Sequence, residues 1–152
     1  MEYEIRLATD EDIPQALDLA WRMFVKYDSP DYGAEHTERM RVAIEDRLND
    51  LSIYAKRLMV VALVDSKVAG MLETYGTNRI SLLFVGSEYQ RKGIATAMMR
   101  KIASELKMRG YDKIVLNSSP YGLPFYKNFG FTVQEEEKNA DTPWKTPMSY
   151  VL

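Results

Sequence analysis

The feature that most constrains this chain is a junction near its middle. The apolar run Ile80-Ser81-Leu82-Leu83-Phe84-Val85 is followed by Gln90-Arg91-Lys92-Gly93-Ile94-Ala95, and then by an amphipathic stretch that ends near Arg109. In that stretch Ile94, Ala97, Met98, Ile102 and Leu106 form one stripe at helical spacing, and Gly110 stands where a helix C-terminal glycine belongs. The apolar run reads as a strand, apolar on both faces as a central strand covered by helices is. A strand therefore turns into a helix through two cations and a glycine. The first N–H groups of a helix have no intrahelical acceptor, and with the helix dipole they favour an anion at that end. Arg91 and Lys92 add charge, and Gly93 lets a ligand approach the backbone. Cations oppose the dipole at a helix start, an objection that a bound anion removes. The junction is read as a site for a phosphorylated ligand.

The flanking pattern builds a layered fold around this junction. Tyr3 to Leu7 reads as a short strand, and Thr9-Asp10-Glu11-Asp12 as a helix start with Thr9 as cap. Ile13, Ala16, Leu17, Ala20, Trp21 and Phe24 share one helical face, and the helix is expected to fade near Tyr27. Asp28-Ser29-Pro30-Asp31-Tyr32-Gly33 reads as a loop. A second helix carries Met40, Ile44, Leu48 and Leu51 at helical spacing. Leu58 to Val64 and Val68 to Tyr75 are strands joined by the turn Asp65-Ser66-Lys67, and Gly76-Thr77-Asn78 turns into the strand of the junction. After Gly110 come a strand over Asp112 to Asn117, a short helix over Tyr121 to Asn128, and strands at Phe131 to Val133 and Met148 to Leu152. The order is β-α-α-β-β-β-α-β-α-β-β: an α/β domain, with a mixed sheet and helices on both faces, over residues 1–152.

Charge and composition exclude several functions. Net charge is −2, so no global basic field argues for nucleic acid, and the cations of the junction are local. There is no cysteine, which excludes disulfides, zinc thiolate sites and a cysteine nucleophile, and fits a reducing cytoplasm. No metal site is expected. Met1 to Arg6 is charged and lacks a signal-peptide core, and no apolar stretch approaches the roughly 20 residues that span a bilayer. Neither a leader nor a membrane partner is expected.

Two motifs carry a resemblance to a known family. Gln90-Arg91-Lys92-Gly93-Ile94-Ala95 fits a Q/R-x-x-G-x-G/A signature, with alanine at its last position. Leu116-Asn117-Ser118-Ser119-Pro120, running to Pro124-Phe125-Tyr126-Lys127-Asn128-Phe129-Gly130-Phe131, fits a closing Y-x-x-x-G-F segment. Each lies between the expected elements, and together with the element order the chain resembles the GNAT superfamily of N-acetyltransferases over nearly its whole length. The resemblance implies acetyl-CoA as co-substrate, its pyrophosphate on the backbone of Arg91, Lys92, Gly93, Ile94, Ala95 and Thr96, with Gln90 opening the motif. It implies that the central strands splay apart to admit the pantetheine arm, which pairs along Leu83, Phe84 and Val85. The Val85 region then supplies an N–H to the thioester carbonyl, where a fixed donor stabilises an oxyanion. Asn117 and Ser119 are implied contacts to the arm. Two positions depart from the pattern: Gly86-Ser87 where many relatives carry proline, and Ser119 where many carry asparagine.

For catalysis, the resemblance places Tyr126 as general acid, since a phenol with a pKa of about 10 stays protonated at neutral pH. The bland alternative is a core tyrosine with a bonded hydroxyl. Glu73, on the face of Met71 and Tyr75, is the candidate base, or else an ordinary strand glutamate. Tyr27 and Tyr32 are candidates to line an acceptor pocket, because the family places its substrate near this loop. Asp28, Asp31 and Glu35 either attract a cationic amine or face solvent. Trp21 and Phe24 read as core, His36 as surface, and Trp144 and Tyr150 as packing or a subunit interface. The implied function is direct transfer of an acetyl group to a small primary amine or amino-acid-like acceptor. Acetylation of a protein N-terminus or lysine, and a CoA-binding sensor without turnover, are the competing readings. A homodimer is the assembly that relatives suggest.

Overall fold

The computed structural model describes residues 1–152. It orders the chain as β1 (Glu4–Leu7), α1 (Asp12–Met23), α2 (Ser29–Asn49), β2 (Met59–Val64), β3 (Lys67–Thr74), β4 (Arg79–Val85), α3 (Ile94–Met108), β5 (Lys113–Ser118), α4 (Leu123–Phe129), β6 (Thr132–Val133) and β7 (Thr146–Val151). This is the order expected from the sequence. The strands form one seven-stranded sheet, β1-β2-β3-β4-β5-β7-β6. Every pair is antiparallel except β4 with β5.

Period-two alternation divides the core between the two faces of this sheet. Val60, Ala62 and Val64 of β2 pack with Ile94, Met98, Ile102 and Leu106 of α3. Their neighbours Met59, Val61 and Leu63 pack with Ile13, Leu17, Leu19 and Ala20 of α1 and Ile44 of α2. All six positions of β2 are buried, because a helix covers each face. Burying one such aliphatic side chain stabilises the fold by about 1.5–3 kcal/mol. The β2–β3 hairpin closes through Asp65 and Ser66 alone, at φ 50° and 65°. A turn with both central residues left-handed matches the twist of the strands it joins. Helix α3 ends as the sequence predicts: Tyr111 N–H donates to the Leu106 carbonyl, Gly110 N–H to that of Lys107, and Gly110 sits at φ 92°.

The segment between α1 and α2 differs from expectation. Asp28 to Gly33 is not a loop. Phe24–Asp28 forms a π-helical turn that leads directly into α2. Pro30 falls in the first turn of α2, where a missing N–H costs little, and the Ser29 hydroxyl caps back onto the Val25 carbonyl at 2.5 Å. The break comes at Gly33 (φ 82°, ψ 177°), which kinks α2 instead of ending a loop. At the start of α1, the Asp12 carboxylate accepts from the Thr9 N–H at 2.8 Å and hydroxyl at 3.0 Å, and pairs with Arg6 at 2.5 Å. The Thr9 hydroxyl therefore serves Asp12 rather than a helix N–H.

The sheet opens at a bulge in β4. Glu73 of β3 faces Leu82, but the next residue, Thr74, faces Ile80, so Ser81 is left over on β4. An extra residue bends its strand and ends regular pairing. Consistently, β4 pairs with β5 only at Arg79↔Val115 and Ile80↔Leu116, before the bulge. Beyond it the two parallel strands part. Glu73 pins this point. It is fully buried on the α1/α2 face, and its carboxylate accepts from Arg47 Nε and Nη2 at 2.9 Å each, from the Tyr54 hydroxyl and from the Ser81 hydroxyl. Arg57 stands 3.7 Å away. Burial alone would push this carboxyl up, but Arg47 and the Ser81 and Tyr54 hydroxyls hold it below the ordinary value.

Removing one partner of a buried ion pair leaves the other uncompensated, at about 3–5 kcal/mol. Arg47→Met is therefore expected to lower the unfolding free energy by that amount, measured by urea denaturation at pH 7. Glu73→Gln, which strands Arg47 instead, should cost a similar amount.

Candidate active site

The parting of β4 and β5 leaves a cleft of about 640 Å³ between them. One wall is Leu83, Phe84 and Val85 of β4, and the opposite wall is Ser119, Gly122 and Tyr126. Gln90, Arg91, Gly93, Ile94, Ala95 and Thr96 line the end where α3 begins. Met23, Tyr27 and Asp28 line the side toward the π turn. The structure thus gathers most residues singled out in the sequence around one space, although they come from segments far apart in the chain.

The end formed by α3 is built to receive negative charge. Arg91 (φ 61°) and Gly93 (φ 82°) are both left-handed, which curls the backbone before the helix. Such a curl is costly for a non-glycine residue and concentrates N–H groups in a concavity. The first helical bond here runs from Ala97 N–H to the Gly93 carbonyl, so the N–H groups of Ile94, Ala95 and Thr96 have no intrahelical acceptor. No side chain caps this end. Lys92 is exposed beside the concavity but is not part of its lining.

The wall toward the π turn is a relay of polar contacts. Gln90 Nε2 donates to the Val85 carbonyl at 3.1 Å, and Gln90 Oε1 accepts from the Tyr121 hydroxyl at 3.2 Å. The Tyr121 ring stacks on Tyr27, with centroids 4.6 Å apart. The Tyr27 hydroxyl meets the Ser87 hydroxyl at 3.0 Å, and Lys26 Nζ donates to the same oxygen at 2.8 Å. Ser87, one of the departures noted in the sequence, thus ties the π turn to the end of β4.

Tyr126 lies on α4 facing the cleft, 9% exposed, its ring edge-on to Phe125 and Phe131. Gly122 makes room for it: a Cβ there would stand 3.1 Å from Tyr126 Cε2. Burial, then the nearby Asp28 and Tyr32, push the phenol well above its ordinary value. Asp28 is 7% exposed on the same cleft. Burial pushes its carboxyl up to about 6; the Ser119 hydroxyl opposes this and Asp31 adds to it.

Two expectations change. Glu73 is not on the cleft: with no exposed surface and four hydrogen bonds to Arg47, Tyr54 and Ser81, it has neither access nor a free lone pair for a substrate proton. Asn117 is exposed and outside the lining; alternation along β5 buries Leu116 and Ser118 instead. Tyr32 packs its ring on Phe24 (5.6 Å), His36 (5.3 Å) and Trp144 (6.3 Å), while its hydroxyl stands close to Ser119 and Asp28 at the edge of the cleft. His36 therefore belongs to an aromatic cluster.

Over residues 28–152 the chain matches the family described as an acetyltransferase (GNAT) domain. It belongs to the GNAT acetyltransferase family. A GCN5-related N-acetyltransferase from Rhodopseudomonas palustris superposes with a TM-score of 0.84 at 18% identity, covering 100% of this chain and 97% of that one. The PaiA N-acetyltransferase of Thermoplasma acidophilum, solved in complex with coenzyme A, superposes with a TM-score of 0.82 at 22% identity, covering both chains fully. In sequence, the uncharacterized N-acetyltransferase YafP of Escherichia coli K12 is 26% identical over 93 residues, 60% of this chain and 58% of YafP. The chain thus aligns with little more than half the length of that relative.

The family's co-substrate is acetyl-CoA, and the cleft fits it. Free N–H groups and Arg91 stand at one end for a pyrophosphate, and the parted strands leave an unpaired backbone edge for an amide-bearing arm. No helix is long and apolar enough to cross a membrane.

The raised Asp28 carboxyl has a cost in stability. Its folded value, about 6, lies above its ordinary value of 3.8, so the folded state binds the extra proton and stability falls as pH rises from about 4 to 6. Asp28→Asn is expected to raise the unfolding free energy at pH 8 by about 2–3 kcal/mol. The gain should shrink as pH falls below 6 in urea titrations.

Proposed function

We propose that residues 1–152 work as one unit that transfers the acetyl group of acetyl-CoA to a small primary amine. The observation that carries this reading is the shared cleft: an uncapped helix start, a parted parallel strand pair and a buried tyrosine face one another across it. Bound acetyl-CoA supplies the activated acetyl group and a thiolate leaving group. The N–H groups of Gly93 to Thr96, with Arg91 and Lys92, hold the pyrophosphate. Leu83 to Val85 present backbone groups to the arm, and Ser119 faces it from the opposite wall. The Tyr126 phenol, held protonated by burial and neighbouring negative charge, is the proton donor to the departing sulfur. The chain has no cysteine to carry a covalent acyl group, and direct transfer needs none. The cysteine-free composition suits a reducing cytoplasm.

A small acceptor fits better than a peptide. Tyr27 and Tyr121 stack across the side of the cleft near Asp28, which narrows the approach. The test is to mix protein, acetyl-CoA and a panel of amines and peptides, and to follow free thiol. Amine-dependent release is expected; release no faster than hydrolysis with every acceptor would remove the reading, and faster turnover of peptides would redirect it. Tyr126→Phe should lower kcat by roughly 10²-fold, the usual scale of a positioned acid, while leaving CoA affinity within twofold.

A further inference from the structure

Asp28 is a buried carboxylate facing the cleft without a cation. It is 7% exposed and lines the same space as Tyr126 and Ser119. The groups that act on its charge are the Ser119 hydroxyl and the Asp31 carboxylate, neither of them cationic. The nearest cation in sequence, Lys26, is committed elsewhere, to the Ser87 hydroxyl at 2.8 Å and over the Tyr27 ring at 5.2 Å. Glu73 shows how this fold treats a buried acid that only holds shape, since two arginines stand against it. A carboxylate taken from water without such a partner is expensive. The backbone that carries Asp28 is also irregular. It ends the π turn Phe24–Asp28, and insertions of this kind recur at functional sites.

We propose that Asp28 is the acceptor-side catalytic residue: its carboxylate receives a primary alkylammonium in the cleft and takes its proton. This rests on the acetyltransferase reading above and narrows it. Asp28 together with Asp31 repels an anion, so the site selects an amine with no carboxylate on the adjacent carbon. Lys26 already lies over the Tyr27 ring, so it is Tyr121, stacked beside it on the cleft, that offers an aromatic surface to the alkyl chain. Protons balance as follows. Asp28 takes one ammonium proton and passes it to solvent. The freed nitrogen lone pair forms the C–N bond as the C–S bond breaks, and Tyr126 gives its proton to the departing sulfur. The second nitrogen proton restores the phenol. One ammonium and one thioester yield one amide, one thiol and one proton.

The experiment is calorimetric titration of the CoA-saturated protein with n-butylamine and with norvaline, the same amine bearing an adjacent carboxylate. Wild type should bind butylamine at least tenfold more tightly than norvaline. Asp28→Asn should lose at least tenfold in butylamine affinity while its CoA affinity stays within twofold, which also shows that the variant is folded. Wild-type butylamine affinity should fall as pH drops below about 6. Asp31 and Tyr32 on α2, Tyr121, and Tyr126 on α4 are the other titratable groups facing Asp28, and the phenols stay neutral there. Butylamine bound equally by wild type and Asp28→Asn, no butylamine binding by wild type, or norvaline bound as tightly as butylamine, each overturns the proposal. Tight butylamine binding that depends on Asp28, with no thiol released from acetyl-CoA, supports the ammonium site and instead sinks the transfer reading and the proton role.

Discussion

The cleft depends on one buried contact, the hydrogen bond between Ser81 and Glu73 backed by Arg47. Ser81 is the extra residue of the β4 bulge, and the bulge is where β4 stops pairing with β5. Without it, two parallel strands would continue side by side and their edges would satisfy each other. Glu73 secures the extra residue from β3, and Arg47 reaches it from α2, so three elements meet at the hinge point of the sheet. The arrangement is specific rather than simply stabilising. A buried ion pair seldom improves on apolar packing of equal volume, but here its donors converge on one residue, since the Ser81 hydroxyl reaches both the carboxylate and the backbone carbonyl of Glu73.

Two buried acids thus divide the work of the fold and of the site. Glu73 is saturated with donors and sits below its ordinary carboxyl value; Asp28 is short of them and sits above it. Both are almost wholly removed from solvent, so burial does not separate them; partners do. The acid with two guanidiniums holds shape. The acid facing a cavity with only a hydroxyl and another carboxylate keeps an electrostatic demand that a ligand can meet.

This contrast explains what the sequence disclosed and what it withheld. The element order, the strand-to-helix junction at Gln90 to Ala95, the helix stop at Gly110 and the place of Tyr126 were legible, because periodicity and glycine chemistry are local signals. Alternation puts Glu73 on the face of Met71, yet it says nothing of Arg47, which lies 26 residues away in the chain. The bulge at Ser81 also escaped, since a register shift exists only between two strands. Asp28 to Gly33 read as a loop because serine, proline, aspartate and glycine punctuate chains. Proline in a first helical turn, and a glycine that only kinks, use the same residues without ending the helix. A π turn has no residue signature at all. Hence sequence pattern favours as base an acid that does not face the cleft over one that does. The residual signal was the acidic pair Asp28 and Asp31 beside tyrosines, which spacing alone leaves undecided between solvent and site.

Placing Asp28 and Tyr126 on one cavity couples their protons. The negative charge of Asp28 is among the influences that raise the Tyr126 phenol, after burial. An acid raised this far holds its proton firmly, which suits waiting but not giving. A bound ammonium cancels that charge, so the phenol is eased toward giving when the cation docks; the later proton transfer turns the ion pair into a neutral pair and leaves the net charge of the cavity unchanged. The change comes before the nitrogen lone pair is freed, so the docking that satisfies the carboxylate also readies the acid. The coupling needs no movement of the backbone, only two titratable groups in one weakly screened space, where a unit charge acts strongly over several ångströms. A carboxylate at the position of Glu73, already neutralised by Arg47, would leave the tyrosine indifferent to the amine.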